Sequence, residues 1–182
     1  MDQTAPLILT LTFDERSFAF FEAERRRSFP PERNLIPAHL TLFHKLPGEH
    51  LDSIKRDIDA VASAQPPICL EVTGLRSLGR GVAYTLLSPE LASLRQGLAQ
   101  GWEAWLGPQD RQKHQPHVTV QNKAEPQEAR ALLSELTDAF QPFTATGVGL
   151  DLWWYRGGPW EKARGFPFAA TALPLPSGKG SA

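Results

Sequence analysis

The sequence predicts an α+β protein in which one unit occurs twice, the copies paired about a pseudo-two-fold axis across a central cleft. Three observations carry that reading. His39-Leu40-Thr41-Leu42 and His117-Val118-Thr119-Val120 share one form, histidine-apolar-threonine-apolar, 78 positions apart. The segments around each follow one order: strand, helix, His-x-Thr strand, helix, strand. Gly74-Leu75 and Gly149-Leu150 stand 75 positions apart, in the closing strand of each copy. A unit of roughly 75 residues present twice is too long and too few for a solenoid.

Each element has its own signal. Residues 6–13, PLILTLTF, are short and rich in Leu, Ile and Thr, as a strand is. Asp14 is a candidate N-cap for a helix over 17–29. Phe18 and Phe21, three apart, share a face of that helix and are expected to pack inward. The run Arg25-Arg26-Arg27 reads as a solvated helix end favoured by the macrodipole. Pro30-Pro31 stops the helix. The first motif strand covers about 38–46, and Pro47-Gly48 turns the chain. Leu51, Ile54, Ile58 and Val61 recur at helical spacing and predict an amphipathic helix over roughly 49–64, ended by Pro66-Pro67. A strand over 68–78 connects through Gly79-Arg80-Gly81 to another over 82–87.

The second copy opens with Ser88 as N-cap and Pro89 at the first helical position. Leu91, Leu94, Leu98, Trp102 and Trp105 carry this helix to about 106. A loop with Pro108 and Pro116 leads to the second motif strand, about 117–123. Pro126 opens a helix with Ala129, Leu132, Leu133 and Leu136, and 143–155 reads as a strand. The Gly- and Pro-rich tail is expected to hold a strand near 166–170 and to be disordered over 176–182. Residues 1–175 read as a single domain, with repeats at about 6–78 and 81–155.

Composition bounds the function. The chain has 182 residues, 41% hydrophobic and 21% charged, the profile of an ordinary soluble globular protein. Nineteen basic residues against twenty acidic ones give a net charge of −1. That argues against gripping long nucleic acid through its phosphates, so DNA is not an expected partner. A nucleotide or an RNA end held in a local site stays open. Cys69 is the single cysteine, which excludes an intrachain disulfide and a cysteine metal cluster and fits the cytoplasm. No signal peptide is expected, because Asp2 and Gln3 stand in place of a basic start. The apolar runs are too short to span a membrane. A monomer is expected.

The two motifs carry the chemistry. Side chains alternate along a strand, so His39 and Thr41 share one face while Leu40 and Leu42 share the other; His117 and Thr119 do the same against Val118 and Val120. Two facing imidazoles suit acid–base catalysis near neutral pH, one taking a proton from a nucleophile and the other giving one to a leaving group. Two hydroxyls beside them suit a phosphate, because threonine donates a hydrogen bond without adding charge. Together they suit phosphodiester cleavage through a 2′,3′-cyclic phosphate, with no metal or other cofactor. Zinc is the rival reading of clustered histidines. His39 and His44, an odd number apart, face opposite ways on a regular strand, and His114-x-x-His117 with Asp110 nearby lies in a stretch that reads as loop. No metal site is expected.

The paired His-x-Thr-hydrophobic segments resemble the signature of the 2H phosphoesterase superfamily. Within it the chain is similar to the bacterial "2′-5′ RNA ligase family", the LigT-like group, over roughly residues 6–155. The resemblance implies a two-lobed α+β fold with an antiparallel sheet in each lobe and helices outside. It implies hydrolysis of a 2′,3′-cyclic phosphate of RNA or a nucleotide, or reversible 2′-5′ RNA linkage chemistry. It carries over His39, Thr41, His117 and Thr119. Gln121-Asn122-Lys123 and Gly157-Gly158-Pro159-Trp160 are not part of the general signature and bear on the substrate.

Further site candidates lie outward. Phe43 and Gln121 stand four past their histidines, on the same face by parity; Phe43 is expected to stack on a base and Gln121 to bond a base edge. Lys45 and Lys123 read as rim charges. Arg80, on the Gly-Arg-Gly turn, is the candidate phosphate-binding cation. Trp153, Trp154, Tyr155 and Trp160 form an aromatic cluster, from which Tyr155 and Trp160 are candidates to line the cleft. His44 and His50 read as rim or surface residues and His114 as a loop residue. A rival of another class is a module that binds an RNA end or nucleotide without turnover; two matched proton carriers speak against it.

Overall fold

The computed structural model describes residues 4–169. The expected tail over 176–182 lies outside the described residues, as does Ala170 at the end of the expected last strand. Among the described residues there are seven strands: β1 Leu7–Phe13, β2 Leu40–Leu46, β3 Ile68–Ser77, β4 Val82–Leu87, β5 His117–Gln121, β6 Phe143–Trp154 and β7 Glu161–Pro167. The five helices are α1 Glu15–Ser28, α2 Leu51–Ala64, α3 Pro89–Gly101, α4 Pro108–Arg111 and α5 Pro126–Ala139.

All pairings are antiparallel, and the strand order is β2-β1-β6-β3-β4-β5, with β7 also on β6. Exchanging β1 with β4, β2 with β5 and β3 with β6 turns this order into its own reverse. The point of symmetry is the β3–β6 pair, Ile68 opposite Gly147 through Val72 opposite Phe143. That pair joins two three-stranded halves into one hydrogen-bonded sheet. The closing strand of each expected repeat sits in the other half, β6 beside β1 and β3 beside β4. Among the described residues β7 has no counterpart.

Local signals explain the elements. The Asp14 carboxylate accepts the Ser17 N–H at 2.9 Å and caps α1. Ser88 Oγ accepts the Leu91 N–H at 3.2 Å and caps α3, with Pro89 next. Alternate residues of β3, Ile68, Leu70 and Val72, are fully buried. The core fills the space between the sheet and the helix faces carrying Phe21, Ile54, Ile58, Leu91, Leu98 and Leu136. At the β3–β4 turn Gly79 has φ +79°, and a Cβ on Gly81 would meet the Gln121 carbonyl oxygen at 1.9 Å, so both glycines are required there. Among the described residues no helix is long and apolar enough to cross a membrane.

Several local readings change. The inward face of α1 is Ser17, Phe21 and Arg25, at spacing i, i+4, i+8, while Phe18 is 37% exposed. Arg25, read as solvated, is buried. α3 stops at Gly101, and 103–105 forms a separate 3-10 turn. The stretch read as loop before β5 holds α4, and β7 begins at Glu161 rather than near 166.

Candidate active site

β2 and β5 are the two ends of the strand order, yet they lie against each other because the sheet curls. Buried arginines span the junction reciprocally. Arg25 of α1 donates from Nη1 to the Thr119 carbonyl at 2.9 Å, and from Nε to Asn34 Oδ1 at 2.7 Å and the Ile36 carbonyl at 3.0 Å. Arg95 of α3 donates from Nε to the Leu42 carbonyl at 2.8 Å and from Nη2 to the Asp110 carbonyl at 2.7 Å. His114 adds a third link, donating from Nε2 to the Thr41 carbonyl at 2.9 Å.

The motif histidines are held alike. His39 Nδ1 lies 2.8 Å from the Pro37 carbonyl oxygen and His117 Nδ1 lies 2.9 Å from that of Gln115. A carbonyl only accepts, so in each ring Nδ1 carries the hydrogen and Nε2 is the nitrogen free of that bond. Burial pushes His39 down to about 4, helped by the charges of Arg25, His117 and His44 and opposed by the Pro37 bond. Burial also lowers His117, with Arg76 and His44 adding to the effect and the Gln115 bond opposing it. Burial pushes His114 down to about 4 as well.

Strand parity holds from His117 to Thr119 in β5, while His39 stands just before β2, which opens at Leu40 and not at 38 as expected; beyond each threonine the pairing then shifts in both copies. Thr10 pairs with Thr41 but Leu9 with Phe43, and Ala83 pairs with Thr119 but Val82 with Gln121. One extra residue on β2 and one on β5 make bulges at matching places, and a bulge re-aims the side chains beyond it. Phe43 therefore does not share the face of His39. It is fully buried, 5.2 Å from Trp102 and 4.6 Å beneath the Arg95 guanidinium, measured to ring centroids. Gln121 is likewise buried rather than open to the cleft.

The same bulge brings His44 into the site. A second irregularity follows in β2, between the Leu9–Phe43 and Leu7–Leu46 pairs. The buried Asp110 carboxylate accepts the backbone N–H of His44 at 2.8 Å, that of Lys45 at 3.0 Å, and His44 Nδ1 at 3.2 Å. Burial alone would raise this carboxyl, but the bonds from His44 and Lys45 outweigh it and hold Asp110 below its ordinary value.

A cleft of about 380 Å³ is lined by Thr41, His44, Arg76, Lys113, His114 and His117, among others, with no carboxylate side chain among its lining residues. His39 stands in the wall of a second pocket of about 250 Å³, with Phe13, Phe18, Ile36, Trp153 and Trp160. The Trp160 ring lies 4.6 Å from the His39 ring and 6.3 Å from that of Trp153, between centroids. Thr119 lines neither pocket; its carbonyl is the one Arg25 holds.

Other sequence candidates lie elsewhere. Arg80 donates to the Ala124 carbonyl at 3.0 Å and pairs with Glu125 at 3.4 Å, away from the cleft. Arg76 lines the cleft, as does the buried Arg95, and it donates from Nη1 to Gln115 Oε1 at 2.8 Å. Tyr155 is 44% exposed and lines neither pocket. Among the described residues no group of three or more His, Cys, Asp or Glu is placed to hold a metal ion.

Comparison with known proteins adds to this geometry. Residues 13–159 match the 2′-5′ RNA ligase superfamily. The fold is similar to the crystal structure of TT0787 of Thermus thermophilus, with TM-score 0.65 and 17% identity over 92% of this chain and 100% of that one. It is similar to E. coli LigT complexed with 3′-AMP, with TM-score 0.57 and 15% identity over 91% of this chain and 99% of that one. The same protein complexed with phosphate gives TM-score 0.58 and 16% identity over 91% and 98%. No curated protein matches the chain by sequence.

Proposed function

The chain belongs to the 2′-5′ RNA ligase superfamily, and from that premise we propose that it is a metal-independent phosphodiesterase that hydrolyses the 2′,3′-cyclic phosphate of an RNA end or a nucleotide. The observation that carries this reading is the matched pair of imidazoles. Each is fixed through Nδ1 to a backbone carbonyl two residues earlier, and each stands two residues before a threonine. One Nε2 takes the proton of a water whose oxygen attacks phosphorus. The other imidazole, protonated, gives its proton to the ribose 2′ or 3′ oxygen as its bond to phosphorus breaks. A phosphomonoester leaves and the histidines exchange protons with solvent. The Thr41 and Thr119 hydroxyls donate to the non-bridging oxygens as charge builds on them.

The surroundings suit this substrate. The cations of the cleft favour a phosphate, and the aromatic pocket beside His39 suits a base. The ligands in the LigT structures, 3′-AMP and phosphate, are of the kinds this reaction would release or hold here. Joining an RNA 5′-hydroxyl to the cyclic phosphate uses the same two proton transfers with the alcohol in place of water. The aromatic pocket gives a second nucleoside a place beside His39.

The test is to incubate the protein with 2′,3′-cyclic nucleotides and with RNA ending in a cyclic phosphate, with and without chelator, and with a 5′-hydroxyl RNA acceptor. A phosphomonoester product at unchanged rate in chelator is the expected result. No turnover of either substrate, or loss of turnover in chelator, overturns the reading. A 2′-5′ linked product shows that the alcohol route operates.

A further inference from the structure

The cleft carries more positive charge than one reacting phosphate needs. Thr41 and His117 account for the phosphate under attack. Beyond them the same cleft is walled by His44 of β2, Arg76 of β3 and Lys113 of the α4–β5 connection. The chain as a whole has a net charge of −1, so this is a local concentration and not a general basicity.

Two of these groups, one imidazole and one guanidinium, are built in place. His44 is anchored by the buried Asp110 carboxylate through its backbone N–H and its ring Nδ1, which leaves Nε2 as its outer nitrogen. Arg76 is anchored by the side chain of Gln115, whose backbone carbonyl also fixes the His117 ring. One residue thus sets both the catalytic imidazole and the guanidinium beside it. Neither Arg76 nor Lys113 has a carboxylate ion-pair partner among the described residues, whereas Arg26, Arg27, Arg80 and Arg164 on the outer surface each have one. The volume, about 380 Å³, falls in the range of sites for small organic ligands rather than for a bare ion.

We propose that His44, Arg76 and Lys113 form a subsite for a second phosphate of the substrate, carried on the 5′ side of the nucleotide whose cyclic phosphate reacts. This rests on the phosphodiesterase reading above and narrows it. The preferred substrates are cyclic phosphates bearing a further phosphate, and a lone 2′,3′-cyclic nucleoside phosphate is a poor one. Two sources supply such a second phosphate, the linkage to the preceding nucleotide of an RNA or the 5′-phosphate of a free nucleotide. Arg76 offers a planar fork matched to phosphate oxygens, and Lys113 a point charge.

The test uses product-type ligands, so it does not depend on turnover. Adenosine 3′-phosphate, adenosine 3′,5′-bisphosphate and a dinucleotide ending in a 3′-phosphate are titrated calorimetrically into the wild-type protein and into Arg76→Gln and Lys113→Gln. The exposed Lys113 keeps the test valid if Arg76→Gln does not fold. The expected result is that at least one ligand with two phosphates binds about tenfold tighter than the monophosphate, and that both variants reduce this ratio. Tighter binding of the dinucleotide identifies an RNA end as the source, and of the bisphosphate alone a free nucleotide. Equal affinity for all three ligands, or a ratio unchanged in both variants, overturns the subsite while leaving cyclic-phosphate turnover standing. Binding of none of them, with no turnover, overturns both.

Discussion

The Arg25 guanidinium donates from Nη1 to the main-chain oxygen of Thr119, 2.9 Å away and 94 residues along the chain. Arg95 mirrors it, donating from Nε to the main-chain oxygen of Leu42 at 2.8 Å. Each buried arginine comes from a helix of one half of the chain and grips the motif strand of the other half. β2 and β5 end the strand order, so each has an edge without a neighbouring strand. The guanidinium forks supply donors to that edge and hold the two motif strands at a fixed separation.

Arg25 is therefore expected to matter for stability out of proportion to its neighbours. Arg25→Ala leaves the Thr119 and Ile36 carbonyls without this donor and should cost about 2–4 kcal/mol, read from the denaturation midpoint. Arg25→Lys should recover little, because an ammonium cannot span three acceptors in a plane. Arg26→Ala, which removes an exposed pair with Glu22, should stay within about 0.5 kcal/mol. Equal stability of the Arg25→Ala and Arg26→Ala proteins contradicts the bridging role.

The two motif histidines should fail differently from the arginines. His39→Ala and His117→Ala should each lower kcat by on the order of 10²–10⁴ with the fold retained. Both rings are lowered from the ordinary imidazole value, His39 to about 4. The unliganded protein then holds one neutral and one protonated ring mainly on the acid side of 6.5, so under the proposed mechanism the kcat/KM profile should be a bell displaced toward acid. A profile flat from about pH 4 to about pH 8 would count against paired imidazoles.

Thr41 and Thr119 should be less critical. In the proposed reaction their hydroxyls would support charge on the phosphate but move no proton. Thr41→Ala and Thr119→Ala should each cost about 10²–10³ in kcat at most, and Thr→Ser much less, since the hydroxyl remains. Equal losses in the Ser and Ala variants would show that the methyl, not the hydroxyl, is what the site uses.

Stability should also depend on pH in a predictable direction. His39 and His114 titrate near 6.5 when unfolded and are pushed to about 4 when folded. Between those values the unfolded chain binds more protons, so stability is fully present above 6.5 and declines as pH falls toward 4. His39→Gln and His114→Gln should each flatten this decline in denaturation midpoints measured across the range. A decline of undiminished slope in both variants would place its origin elsewhere.

The order of the strands and of the four long helices, the α+β class and the placement of Thr41 and Thr119 on strands were legible because they rest on periodicity and caps. Asp14, Ser88 and the Leu–Ile spacing of α2 are local signals, and local signals survive folding. Phe43 and His44 were not legible. Their faces depend on one extra residue in β2, which shows only when β1 is laid beside it. Arg25 had a signal in its i+4 spacing from Phe21, but the run Arg25-Arg26-Arg27 reads as one solvated block. Asp110 had none: its partners lie 65 and 66 residues away, in a strand no local pattern connects to it.

Asp110 gives the sharpest test of that long-range design. Its carboxylate accepts two backbone N–H groups and one ring nitrogen in a buried setting, and these bonds hold it ionised below its ordinary range. A carboxyl lowered by folding contributes stability that is present above its unfolded value and lost as pH falls through the folded one. Asp110→Asn removes the charge and turns an amide NH₂ toward a donor, so at least one of the three bonds becomes donor against donor. The expected cost is about 2–4 kcal/mol at neutral pH, with a smaller loss of stability on acidification than in the wild type. Asp59→Asn serves as the control, since Asp59 is an exposed partner of Arg164 and should change stability by less than about 1 kcal/mol. If Asp110→Asn matches Asp59→Asn in both midpoint and pH dependence, the β2 bulge does not need its carboxylate, and His44 is held in the cleft by the strand alone.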